Sequence, residues 1–74
     1  MLNKDWNEES KVILKSILAQ KNIKYHELAQ LLNEIGLEES HNSIASKISR
    51  GTFSFSFFLQ CIYVLDINSH DLDF

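Results

Sequence analysis

Ser40-His41-Asn42-Ser43-Ile44-Ala45-Ser46-Lys47-Ile48-Ser49-Arg50-Gly51-Thr52-Phe53-Ser54 decides the reading of this chain, together with the apolar run from Phe55 to Leu65 behind it. The first part reads as a polar, serine-rich helix. Ile44 and Ile48 stand four residues apart with Ala45 beside them, so one narrow face is buried. His41, Asn42, Ser43, Ser46, Lys47 and Ser49 are expected to face outward. Gly51 makes the turn, Ser54 is a good N-cap, and a greasy fourth helix follows to about Leu65. A short, polar, hydrogen-bonding surface on a helix is what a major groove and its base edges require. An exposed helix with a merely solvated polar face would look the same.

Charge favours the first reading locally. The chain has seven Lys and Arg against ten Asp and Glu, a net charge of −3. Lys47 and Arg50 are the only charged residues between Ser40 and Leu65. Five basic residues and all ten acidic ones lie elsewhere, so the segment carries +2 and the remainder −5. That balance argues against strong non-specific polyanion binding but leaves room for a small reader with a local positive patch.

Seventy-four residues make one domain, spanning 1–74. A core of that size supplies roughly 3–5 kcal/mol, and self-association would add to it. Cys61 is the single cysteine. It sits in an apolar run with no accompanying ligand cluster, so it reads as a small buried hydrophobe, with neither disulfide nor metal. The start of the chain places charge where a signal peptide needs an apolar run, and no stretch approaches the ~18 apolar residues of a membrane span. A cytoplasmic protein is expected, with no membrane partner.

The rest of the chain supplies three more helices. Asp5 with Glu8 has the form of a capping box, opening a helix from Trp6 to Lys21. Trp6, Ile13, Leu14, Ile17 and Leu18 fall on its buried side, and Asn22 stands in for a C-cap glycine. A second helix begins near Lys24 or Tyr25. It buries Leu28, Ala29, Leu31, Leu32 and Ile35, and Gly36 stops it. Leu37 anchors the connector to the core, and Glu38 and Glu39 precede the third helix where its dipole favours them. Phe57, Phe58, Cys61, Ile62 and Leu65 form the core face of the fourth helix, with Phe55 and Tyr63 at its margins. Leu72 and Phe74 lie back on the core as a short tail. The fold class is all-α, a compact bundle of four to five short helices.

From Val12 to Ile67 this order resembles the Cro/repressor, or XRE-like, class of helix-turn-helix domains, a lambda-repressor-like fold. Asn22-Ile23-Lys24-Tyr25-His26-Glu27-Leu28-Ala29 stands where that family has Gly-Leu-Thr-Gln-x-x-Leu-Ala. Ser43 to Gly51 resembles its recognition helix, and Ser54 to Ile67 its capped following helix. The Arg-Gly-Thr-Phe-Ser segment is also similar to a group of short uncharacterised bacterial domains. Lys24 and Tyr25 replace the family's capping Thr and its Gln, and the link from Leu32 to Ser40 is several residues longer than the family's tight turn.

The resemblance implies a bacterial, dimeric, DNA-binding transcription regulator whose partner is double-stranded DNA. His41, Asn42, Ser43 and Ser46 would meet bases, with Asn42 the best candidate for a bidentate contact to adenine. Lys24, Tyr25, Lys47, Arg50 and Thr52 would hold phosphates. Each has a plainer role open to it: Asn42 and Ser43 as caps, Arg50 paired with a carboxylate such as Glu27, Lys47 as a solvated charge. No cofactor, metal or small-molecule substrate is implied. His26, His41 and His70 share no spacing, and nothing suggests an enzyme. The competing expectation is a small protein-interaction or dimerisation module without DNA binding, because Phe53, Phe55, Phe58 and Tyr63 exceed what so small a core absorbs.

Overall fold

The computed structural model describes residues 4–65, and among these the chain forms four helices and no strand. The helices are α1 (Trp6–Lys21), α2 (Tyr25–Glu34), α3 (His41–Arg50) and α4 (Phe55–Val64). The tail with Leu72 and Phe74, and the exit at Ile67, lie outside the described residues.

Local chemistry sets the ends of each helix. The Asp5 carboxylate accepts the Asn7 and Glu8 amides, both at 3.1 Å, and so caps α1. Asn22 closes α1 in the left-handed region at φ 58°, the one non-glycine residue among those described with positive φ. Ser40 and Ser54 cap α3 and α4 through the amides of Ser43 and Phe57. Lys24 cannot accept a hydrogen bond, so α2 starts with half a box: the Glu27 carboxylate accepts the Lys24 amide at 2.8 Å.

Leu14 and Leu18 of α1, Leu28, Ala29 and Leu32 of α2, Ile44 and Ile48 of α3, and Phe57, Cys61 and Leu65 at the α4 end make one core. The principal helix contacts are α1 on α3, α2 on α3 and α2 on α4. The helix α3 therefore spends its apolar stripe on two neighbours and leaves its other face to solvent. Leu37 packs partly buried against the core, as its anchoring role requires.

Three expected core residues are not in it. Trp6 is 68% exposed, Ile13 is 47% exposed and Ile35 is 44% exposed. Trp6, Ile13 and Ile17 do share a face of α1, but α1 turns Leu14 and Leu18 into the core, and that face lies at its edge. Ile35 follows the last turn of α2, where the chain is already leaving the helix towards Gly36 at φ 91°.

Candidate nucleic-acid interface

The surface formed by α3 and the starts of its neighbours gathers most of the singled-out polar residues. His41, Asn42, Ser46, Ser49 and Arg50 are exposed on α3, which contains no acidic residue. Lys24 and Thr52 are exposed beyond the ends of α2 and α3. The Tyr25 and His41 rings meet edge-on, 5.9 Å between centroids, which places the first residue of α2 against the first residue of α3. Lys47, Arg50, Thr52 and Ser54 line one shallow cleft over Phe53 and Phe57, at the junction of α3 with α4.

Two residues expected to face freely outward are half-buried and engaged. Ser43 closes a reciprocal cap, its hydroxyl accepting the Ser40 amide at 2.8 Å while its own amide donates to Ser40 Oγ at 3.1 Å. The same hydroxyl donates to Glu39 Oε1 at 2.6 Å. Lys47 donates to Glu39 Oε2, and its ammonium lies 4.7 Å from the centre of the Phe57 ring. Neither is a bare surface group.

Sequence reasoning missed the residue that organises this. The Glu39 side chain is only 9% exposed, and its two oxygens take Ser43 and Lys47. Its amide donates to Asn33 Oδ1 at 3.0 Å, tying the connector back to the end of α2. Burial pushes the Glu39 carboxyl up, but the hydrogen bonds from Lys47 and Ser43 and the charge of Lys47 outweigh it and hold the group below its ordinary 4.5. A carboxylate just before a serine N-cap and a lysine eight residues on were visible in the sequence. Their meeting depends on the path of the connector.

Carboxylates near a groove repel phosphate, and the two that precede α3 differ in this respect. Glu39 is neutralised within the fold, and Glu38 remains exposed. Arg50 has no ion-pair partner among the described residues, and the Arg50–Glu27 pair is absent there. The pairs present are Lys4–Glu9, Lys11–Glu8 and Lys47–Glu39. Among the described residues no group of three His, Cys, Asp or Glu could hold a metal, and no helix is long and apolar enough to cross a membrane.

The family model described as "Domain of unknown function (DUF6471)" matches residues 6–70. The chain belongs to the DUF6471 family. No curated protein and no solved structure matches it. The DUF6471 match covers all four helices, so the α3 surface and the Glu39 tie both lie within the family's own span.

Proposed function

We propose that this chain is a sequence-specific DNA-binding regulator of lambda-repressor-like, helix-turn-helix type, working in the bacterial cytoplasm by binding rather than catalysis. In this reading α3 enters the major groove. His41, Asn42 and Ser46 meet base edges, with Ser43 at the margin because its hydroxyl is already used. Lys24, Tyr25, Arg50 and Thr52 hold the flanking phosphates. Lys47 contributes once a phosphate competes with Glu39 for its ammonium.

The observation that carries the reading is the outward face of α3: exposed, rich in donors and acceptors, and with no acidic residue on the helix itself, the neighbouring Glu39 being tied to Ser43 and Lys47. The Tyr25–His41 contact adds support, because it sets the first turn of α2 beside the first turn of α3. Duplex contact by two neighbouring helix starts suits the positive ends of both dipoles.

The test is retention of random duplex pools at low and moderate salt. Arg50→Ala is expected to flatten the salt dependence by about one unit of log–log slope, and Asn42→Ala to cost about 1–3 kcal/mol of discrimination at one base pair. Absence of retention at low salt, or variants indistinguishable from the parent, overturns the reading. A protein-interaction module is the second reading, favoured by Trp6, Phe55 and Tyr63, each about seven-tenths exposed.

A further inference from the structure

The side of the molecule formed by α1 and α4 presents an apolar surface that the fold does not cover. On α1, Trp6, Ser10 and Ile13 follow one another at helical spacing, and Trp6 and Ile13 are exposed. On α4, Phe55 and Leu59 are one turn apart and both exposed. The helix α1 packs principally on α3 and not on α4, so a groove remains between them, lined by Ser10, Ile13, Phe53 and Phe58 with Phe55 on its lip. The Phe55 ring stacks on Phe58, with 6.2 Å between centroids, and stands up beside the groove.

We propose that this face is the contact between two copies of the chain. Three features point to a second copy. The face carries a projecting ring and a groove side by side, and a twofold interface requires such self-complementary relief. It also carries no net charge: the Lys4 ammonium lies over the Trp6 ring, 5.2 Å from its centre, and Glu9 balances it. The helix α4 has no charged residue, and beside Trp6 the Lys4 ammonium and the Glu9 carboxylate pair with each other at 3.7 Å. Two chains of net charge −3 repel each other least across such a face, and it offers nothing to attract a partner of either charge.

The third feature is area. Trp6, Ile13, Phe55 and Leu59 together leave roughly 500 Å² open per copy, given whole side-chain areas of ~150–250 Å² for the aromatics. Complete covering of these four residues in both copies would bury at most about 1,000 Å², the size at which specific interfaces begin. The groove adjoins the cleft under Lys47 and Arg50 through Phe53 and Ser54 but takes in none of the outward residues of α3, so the inference does not depend on DNA binding.

Sedimentation equilibrium of the full chain over a wide concentration range tests it, with Trp6 fluorescence as a second readout. Mass is expected to rise towards twice the monomer as the Trp6 emission moves to shorter wavelength. Phe55→Glu is expected to abolish both changes while leaving the thermal transition of the monomer in place, since position 55 is outside the core and an acid suits the first turn of a helix. Lys21→Ala, exposed at the opposite end of α1 from Trp6, is expected to associate as the parent does. A parent that stays monomeric, or a Phe55→Glu variant that still doubles in mass, overturns the proposal.

Discussion

Gly51 stands in the left-handed region at φ 68°, and a Cβ built there would overlap the backbone carbonyl of Asn7. Two costs add at this position: the left-handed strain of about 1–2 kcal/mol for any other residue, and a collision that only backbone movement relieves. Gly36 has φ 91° but open space around it. Gly51→Ala is therefore expected to cost about 3 kcal/mol, close to the whole stability of so small a chain, and Gly36→Ala about 1. Urea midpoints of the two variants check this, and equal midpoints would place the turn away from α1. The glycine as a helix stop was legible in the sequence. Its packing against residue 7 was not, because a sequence shows where a backbone must turn and not what lies beside the turn.

At the scale of the element, α3 is held by one half-buried carboxylate. Glu39 joins the connector, the cap at Ser43 and the ammonium of Lys47. Glu39→Gln is expected to destabilise by about 1–2 kcal/mol at neutral pH, discounted because Lys47 is partly solvated. The folded carboxyl lies below its unfolded value, so its contribution is complete above about pH 4.5 and is lost as pH falls through the depressed folded value. Parent and variant should then converge in acid, which thermal melts at a series of pH values would reveal. On the DNA reading the same variant frees Lys47 and tightens retention.

The helices themselves were legible. Asp5, Asn22, Ser40, Gly51 and Ser54 mark ends that the structure keeps, because caps are local chemistry. Trp6, Ile13 and Ile35 were misplaced for the complementary reason. Periodicity tells which side chains share a face, and says nothing about whether another element comes to cover it.

Across the whole molecule, Cys61 reports on the closed core. It is fully buried, and its thiol is pushed up to about 12, by burial first and then by the charge of Glu39, with Lys47 pulling partly back. Alkylation needs a thiolate and a path to solvent, and the native fold withholds both. Reaction with iodoacetamide at mildly alkaline pH is expected to run on the order of a hundredfold slower than in urea, in step with global unfolding. Labelling that outpaces unfolding would point to a local opening of α4. The one-core architecture explains why no smaller motion should suffice: Cys61 shares its cluster with residues of all four helices.

The seat of Gly51 on Asn7 also sets what generations of sequence drift can do. The atoms it meets are the Cα, carbonyl carbon and oxygen of residue 7, common to every amino acid. Descendants of this chain can exchange the side chain at 7 without disturbing the join, while position 51 admits no such latitude.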